Sequence, residues 1–192
     1  MNFGCRISFA GAVLAGPRSG KTESDLPLRV VGGERLIDRQ LELLLTLGPA
    51  ELVIAGQPRQ DYGCPGVLVT CQAGPDQGFL GDLAAVFAAT TSPHVLVAAV
   101  DLPPVSPYLL CEVFEQRSGD RGVVPRTGLG WEPRMAVYPR ICAARVLEHL
   151  RTGQLDPIQF VESAVAAGEL KPHSLDDDDA AVLENWQRER PL

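Results

Sequence analysis

The chain has 192 residues, a length at which we expect one folded domain spanning residues 1–192. Its composition, 45% hydrophobic and 21% charged, excludes a disordered chain. A net charge of −7 argues against a surface that neutralises a nucleic-acid backbone, and no apolar run reaches the roughly 20 residues of a membrane span. We therefore expect a cytoplasmic protein that binds neither nucleic acid nor membrane, with a monomer as the simplest state.

The predicted elements alternate between strand and helix. In chain order they are a strand over 8–15, a helix over 34–47, strands over 51–55 and 67–71, a helix over 80–89, a strand over 94–100, a helix over 107–116, strands over 122–126 and 133–138, and helices over 141–151 and 157–167. The strands are nearly continuous apolar runs, as in sheets covered on both faces, and they predict a mostly parallel α/β sheet with right-handed crossovers. Beyond residue 167 the alternation fades.

Two groups of residues could in principle bind a metal or form a disulfide, but each has a simpler interpretation. The five cysteines lack the paired spacing of a zinc site, and a disulfide between Cys64 and Cys71 is less favoured than free thiols in a reducing compartment. The run Asp176 to Asp179 is interpreted as a solvated helix start rather than a metal site, because the helix dipole favours carboxylates there.

A single carboxylate, Asp101, ends the apolar strand in "HVLVAAVDLPPVSPYLL". Ligands of open α/β sheets bind outside the carboxyl ends of the strands, so Asp101 and the loop after the first strand should share one edge. Asp101 could hold Mg²⁺, which commonly takes one or two carboxylates together with substrate phosphates. It could equally cap the Leu-Pro-Pro turn through its own backbone, and the local pattern leaves both interpretations open.

The loop in "AGAVLAGPRSGKTESDLPL" has features of a phosphate-binding segment. Gly16 allows close approach of the backbone to an anion, and Arg18 and Lys21 supply positive charge. Pro17 removes one N–H donor, and the Walker pattern is broken because position 15 is Ala. An ordinary surface loop is the alternative.

Three segments together resemble the molybdenum cofactor guanylyltransferases: "AVLAGPRSGKTESDLPL", "HVLVAAVDLPPVSPYLL" and "GVVPRTGLGWEPRMAVYPR". The C-terminal "LENWQRERPL" is similar to the Asn-containing segment that ends members of this family. The resemblance implies a three-layer α/β/α, Rossmann-like sheet of the nucleotide-diphospho-sugar transferase (glycosyltransferase-A-like) type. It also implies transfer of GMP from GTP to molybdopterin or its molybdenum form, with Mg²⁺ as cofactor. CTP or another nucleoside triphosphate stays open as the donor, because the segment that would contact the base is the one that departs most from the family.

The same resemblance assigns expected roles to individual residues. Asp101 would hold the magnesium ion and act in catalysis with Arg18 and Lys21, while Arg126 and Asn185 would contact the acceptor. The nucleotide would be bound by Leu14, Ala15, Gly16, Arg18, Lys21 and Gly78. No histidine is required, because the acceptor phosphate is already charged. We accordingly interpret the three histidines as structural or exposed residues: His94, His149 and His173.

The chain departs from the family pattern around the phosphates. Pro17 replaces a Gly, Thr22-Glu23 replaces Met-Gly, and Leu26 stands where the family has a Lys; Gly78 to Asp82 replaces Gly-Pro-Leu-Ala-Gly, and Gln187 replaces a second Asn. These losses leave two functions open. One is an active nucleotidyltransferase with a modified loop, for which Leu26→Lys should strengthen triphosphate binding. The other is a non-catalytic member of the fold that binds a nucleotide, a pterin or a partner protein.

Overall fold

A computed structural model describes residues 8–16, 26–57, 61–71, 74 and 76–189, with side chains up to Asn185. The strands are β1 (Ala10–Leu14), β2 (Val30–Val31), β3 (Glu34–Arg35), β4 (Glu51–Gly56), β5 (Leu68–Cys71), β6 (His94–Ala99), β7 (Gly122–Thr127), β8 (Gly130–Trp131), β9 (Met135–Pro139) and β10 (Leu170–Ser174). The helices are α1 (Leu36–Leu45), α2 (Gly78–Ala89), α3 (Pro107–Glu115), α4 (Cys142–Thr152), α5 (Pro157–Ala166) and α6 (Asp177–Glu189).

One mixed sheet forms the centre of the molecule, with strand order β10-β7-β9-β6-β1-β4-β5 and β8 paired to β7. The pairs β1–β4, β1–β6, β4–β5 and β7–β10 are parallel, and β9 alone on this path is antiparallel to its neighbours β6 and β7. Because β9 reverses direction between them, β6 and β7 run the same way. The predicted mostly parallel α/β sheet is confirmed.

Helices cover both faces of the sheet. On one face, Phe9, just before β1, packs against Phe114 of α3 with ring centroids 4.3 Å apart and the rings tilted by 44°, and α1 packs against β1. On the other face, the Tyr138 ring of β9 lies 6.2 Å from Phe79 of α2 and 6.0 Å from Phe160 of α5. These two packed faces give the expected three layers.

Local sequence signals fix several helix ends. Ser106 precedes Pro107 at the start of α3, and its Oγ accepts a hydrogen bond of 3.1 Å from the Leu109 N–H. Asp156 caps α5 in the same way, accepting from the Ile158 N–H at 2.8 Å. Both caps and the helix start in the aspartate run were predicted. Strands β8 and β10 and the β2–β3 hairpin were not predicted from the sequence.

Two further findings concern the described residues only. Cys64, Cys71, Cys111 and Cys142 are free thiols there, and Cys5 lies outside the described residues. Within the same part of the chain, no helix has both the length and the apolar surface needed to cross a bilayer.

Candidate functional site

Gly16 and Asp101, which follow strands β1 and β6, lie at the same edge of the sheet. Leu14 at the end of β1 is in register with Ala99 at the end of β6, and the Val100 N–H donates to the Leu14 carbonyl at 2.9 Å. The chain runs from β1 to β4 on one side and later returns to β6 on the other side. Gly16 and Asp101 therefore follow the two strands at a topological switch point, where open α/β sheets bind ligands.

Gly16 makes a close contact with a carboxylate of α2. Its N–H donates to Asp82 Oδ2 at 3.1 Å, and Asp82 is 4% exposed. A Cβ at position 16 would lie 2.3 and 2.4 Å from the two carboxylate oxygens, so only glycine fits. The expected close approach at Gly16 thus exists, but its partner in this structure belongs to the chain itself. A nucleotide oxygen would have to replace Asp82 on this N–H.

The neighbouring nucleotide-site predictions fall at the same edge. Leu14 and Ala15 are buried, and the Ala15 N–H extends the sheet by donating to the Ala55 carbonyl at 2.7 Å. Gly78 is the first residue of α2 and has φ +54°, a conformation that favours glycine. It lies one helical turn before Asp82, on the end of α2 that approaches β1.

Asp101 is buried and ion-paired. Its Oδ2 accepts a hydrogen bond of 3.0 Å from Arg134 Nη1, and the two side chains are 7% and 12% exposed. Arg134 precedes the antiparallel strand β9, and its carbonyl accepts from the Ala99 N–H at 2.9 Å. The reversal of β9 thus delivers a guanidinium to the carboxyl end of β6.

Arg134 is anchored in turn by Glu132, whose side chain is completely buried. Arg134 Nε donates to Glu132 Oε1 at 2.7 Å and Nη2 donates to Oε2 at 2.5 Å, while the Arg134 backbone N–H adds a 3.1 Å bond to Oε1. Such a two-point pair is geometrically specific. We call Asp101, Arg134 and Glu132 the carboxylate–arginine triad; its formal charge is −1.

Sequence reasoning missed Arg134 and Glu132 as site residues. Both lie inside the segment "GVVPRTGLGWEPRMAVYPR" that carries the family resemblance. The alternation of strands and helices gave no sign that β9 runs antiparallel, and only this reversal brings Arg134 to the edge where Asp101 ends its strand. The signal available in the sequence was the pair Glu132 and Arg134, two opposite charges two residues apart just before an apolar strand.

The donor groups fit a magnesium ion that is held mainly by substrate and water. In the part of the chain that the structure describes, no three His, Cys, Asp or Glu side chains come together as a metal cage. Asp101 offers a hard carboxylate at the end of β6, and Mg²⁺ accepts one carboxylate plus phosphate and water oxygens. Because Arg134 bonds Oδ2 of this carboxylate, an ion at Asp101 would share it with the guanidinium or displace it.

Most of the phosphate loop lies outside the described residues, including Pro17, Arg18, Lys21 and Glu23. Leu26 is described: it begins a 3-10 turn over Leu26–Leu28, is 8% exposed and belongs to the hydrophobic core. The effect of Leu26→Lys on triphosphate binding stays a prediction, conditional on the loop folding over the phosphates, and the burial of Leu26 adds a cost to it. A lysine there would have to leave the core or carry its ammonium into it.

A cavity of about 470 Å³ opens at the ends of β7 and β10, against α6. Arg126, Thr127 and Ser174 line it from the strands, and Glu184 lines it from the helix. Arg126, predicted to contact the acceptor, is exposed and lies over the Trp131 ring, 5.0 Å from its centroid. Asn185, the other predicted acceptor residue, is exposed and follows Glu184, outside the set of lining residues.

This cavity and the Gly16–Asp101 pair share the same edge of the sheet. Because β7 and β6 are parallel with β9 between them, Arg126 and Asp101 end strands that are two positions apart, about 10 Å. Glu184 Oε1 accepts the Gly128 N–H at 2.8 Å, which ties α6 to the turn after β7.

The histidines have structural surroundings, as predicted. His94 begins β6 at the opposite edge, where burial lowers its pKa. His149 bonds the Gln154 carbonyl and the Ser163 hydroxyl, each at 3.1 Å. His173 Nε2 lies 2.8 Å from a carboxylate oxygen of Glu112 on α3.

Comparisons with known proteins agree with this architecture. The sequence model of the family described as "MobA-like NTP transferase domain" matches residues 11–167. A protein of Opitutus terrae named "Probable molybdenum cofactor guanylyltransferase" is 29% identical over 185 residues, covering 94% of this chain and 91% of that protein. A Pelotomaculum thermopropionicum protein of the same name is 31% identical over 154 residues, covering 80% and 75%.

Solved structures share the fold at low identity. Molybdopterin-guanine dinucleotide biosynthesis protein A from Archaeoglobus fulgidus superposes with a TM-score of 0.65 at 16% identity, over 94% of this chain and 88% of that one. The 2-C-methyl-D-erythritol 4-phosphate cytidylyltransferase of Thermus thermophilus gives a TM-score of 0.61 at 19% identity, over 92% and 98%. With the family match spanning most of the sequence, the chain belongs to the MobA-like NTP transferase domain family, a family of nucleotidyltransferase enzymes.

Proposed function

We propose that this protein is a cytoplasmic nucleotidyltransferase that transfers GMP from GTP to a molybdopterin-type acceptor, with Mg²⁺. The observation that carries the proposal is the pairing of β1 and β6, which puts the Gly16 turn beside Asp101 at a topological switch point. Support for the substrates comes from the names of the relatives that align over most of the chain.

The chemistry requires alignment and charge neutralisation more than a protein nucleophile. An acceptor phosphate oxygen attacks the α-phosphorus of GTP, one P–O bond forms, and the bond to pyrophosphate breaks as pyrophosphate leaves. When bound at Asp101, Mg²⁺ would neutralise charge on the phosphates. Arg18 and Lys21 would add positive charge from the loop, while Leu14, Ala15, Gly16 and Gly78 would line the nucleotide site.

The acceptor would enter from the cavity at the ends of β7 and β10. Arg126 offers a guanidinium for its phosphate, and the cavity volume of about 470 Å³ suits a small molecule. Asn185 would contact the acceptor from the exposed side of α6. The separation of about 10 Å between the ends of β6 and β7 is short enough for a phosphate held near Arg126 to reach a nucleotide held near Asp101.

A second function is favoured by a specific observation. Asp82 occupies the N–H of Gly16, and Arg134 occupies Oδ2 of Asp101, so two ligand-binding groups have partners within the chain. A non-catalytic member of the fold that binds a nucleotide, a pterin or a partner protein would tolerate both of these contacts within the chain, because it needs no metal-dependent transfer.

Nucleotide binding and transfer are tested together. The wild type and Asp101→Asn are heated with GTP, CTP, ATP or UTP, with and without Mg²⁺, and product formation from GTP and purified molybdopterin is followed by mass spectrometry. GTP with Mg²⁺ should raise the melting temperature of the wild type, and the stabilisation should grow with the logarithm of the ligand excess. In Asp101→Asn, the part of this shift that depends on magnesium should disappear. This variant should also form no dinucleotide product.

Asp156→Asn serves as the control, because it removes one carboxylate from an exposed helix cap and leaves the edge unchanged. A wild type whose melting temperature is moved by no nucleoside triphosphate would overturn the enzyme proposal. Stabilisation by GTP without any dinucleotide product would favour the non-catalytic function.

A further inference from the structure

The carboxylate–arginine triad places a fixed positive charge on the residue that would take the metal ion. Arg134 reaches Asp101 with Nη1 at 3.0 Å and reaches Glu132 with Nε and Nη2 at 2.7 and 2.5 Å. All three side chains are at most 12% exposed. At such burial, water screens the charges weakly and the interactions are stronger than at a surface.

Glu132 prevents Arg134 from simply turning away. Leaving a completely buried carboxylate without a cation is strongly unfavourable, because water cannot solvate the remaining charge. Arg134 therefore stays near Asp101 whether or not a ligand is bound. A divalent cation that arrives alone must approach a carboxylate already shared with a guanidinium, and it is repelled by that guanidinium.

A nucleoside triphosphate changes this balance because it brings several negative charges of its own. Phosphate oxygens can neutralise the incoming ion and receive the guanidinium at the same time. Repulsion between the ion and Arg134 then falls, so metal and triphosphate favour each other's binding; by linkage the effect is reciprocal.

We propose that Arg134, held by Glu132, is a positioning residue that competes with a divalent cation for Asp101, so that the cation binds well only together with a nucleoside triphosphate. The inference rests on the proposed function, since it concerns the same ion at the same carboxylate. It adds a role for two residues that the reaction itself does not require.

The test measures Mn²⁺ binding from the electron paramagnetic resonance signal of the free ion, without nucleotide and with a non-hydrolysable GTP analogue. The main variant, Glu132→Gln with Arg134→Met, removes the two opposite charges together and preserves side-chain size. Its matched control is Glu169→Gln with Arg145→Met, which removes another partly buried Arg–Glu pair, with Nη2–Oε1 at 2.7 Å, at the far edge of the sheet. Asp101→Asn is added to the wild type and to the main variant.

The main variant should bind Mn²⁺ alone at least about tenfold more tightly than the wild type, and the analogue should improve Mn²⁺ affinity less in the variant than in the wild type. Asp101→Asn should abolish the gained affinity. The control pair should leave Mn²⁺ affinity unchanged. Arg134→Lys, which keeps the charge but loses the two-point bond to Glu132, should give an intermediate affinity, and it carries the test if the double variant does not fold.

The outcomes separate this inference from the proposed function. Unchanged Mn²⁺ affinity in both the double variant and Arg134→Lys, with Asp101 still required for binding in the presence of the analogue, overturns the role of Arg134 alone. Mn²⁺ binding that is independent of Asp101 in every background overturns the inference and the magnesium site of the proposed function together.

Discussion

At the scale of single residues, two buried carboxylates flank the Gly16 turn. Asp82 approaches from α2 and bonds the Gly16 N–H, while Asp101 follows the neighbouring strand and pairs with Arg134. Each carboxylate therefore has a partner within the chain at a position where the family resemblance implies a ligand. At Gly16 the carboxylate leaves no room for a Cβ.

We expect Gly16→Ala to destabilise the protein through Asp82. The new methyl group would overlap both carboxylate oxygens and break their hydrogen bond to the backbone, at a cost of about 1–3 kcal/mol. In a double-mutant cycle with Asp82→Ala, the second alanine should recover at least about 1 kcal/mol of that loss, because it removes the overlapping atoms. Urea denaturation of the four proteins measures this coupling; additive effects would contradict the contact.

The sequence predicted one half of this site and not the other. Asp101 was expected at the carboxyl edge because an apolar strand that ends in a carboxylate is a local pattern. The partners of Asp101 and Gly16 are 33 and 66 residues away along the chain. Their contacts depend on the direction of β9 and on the rotation of α2, and no local pattern in this chain determines either of these.

At the scale of elements, the prediction succeeded where burial dictates the sequence. Strand β6 is buried at every position, and its apolar run was recognised directly. Strand β10 was missed because it is an edge strand with alternating exposure and contains Lys171, Pro172 and His173, so it lacks the apolar run of a central strand. Strands β2, β3 and β8 have two residues each, which is too short for a periodic pattern.

Helix α2 is fixed at both ends, and this matters for the site because its first turns carry Gly78 and Asp82. At the far end, Arg140 Nη1 donates to the Phe87 carbonyl at 3.1 Å, Nη2 donates to the Thr90 carbonyl, and Nε donates to the Ser92 carbonyl at 3.1 Å. One guanidinium thus satisfies carbonyls that the helix end leaves without intrahelical partners.

Arg140→Met should therefore lower the free energy of unfolding by about 3 kcal/mol, since it removes several hydrogen bonds from a charged donor to partly buried carbonyls. The control is Arg151→Met. Its pair with Glu148 is exposed, with side chains 72% and 57% accessible, and such pairs contribute about 0–1 kcal/mol. Urea midpoints of both variants provide the measurement, and similar losses would refute the special role of Arg140.

At the scale of the whole molecule, the two edges of the sheet differ in what they hold. The carboxyl edge carries Gly16, Asp101 and the cavity at Arg126, so it holds the residues proposed for chemistry. The amino edge carries ionic contacts that tie loops to strands. Glu51 accepts hydrogen bonds from the Thr91 and Ser92 N–H groups at 3.2 and 3.1 Å, and Glu169 pairs with Arg145 at 2.7 Å.

The loss of stability in acid should depend in part on the amino edge. The hydrogen bond from the Ser92 hydroxyl lowers the pKa of Glu51, and the hydrogen bond from Arg145 lowers the pKa of Glu169. A carboxyl whose pKa is lower in the folded state stabilises the fold above its unfolded pKa, about 4.3 for glutamate, and this contribution is lost as the pH falls through the folded pKa.

Glu51→Gln and Glu169→Gln should therefore be less stable than the wild type at pH 7, and the difference should shrink as the pH is lowered below about 4. Urea midpoints between about pH 7 and pH 3 measure this, with Glu162→Gln on the exposed side of α5 as the control for the same chemical change. A difference that stays constant with pH would mean that packing, rather than ionisation, accounts for the loss. If both edge variants show a pH-dependent difference and the control does not, Glu51 and Glu169 supply stability at neutral pH that is lost in acid.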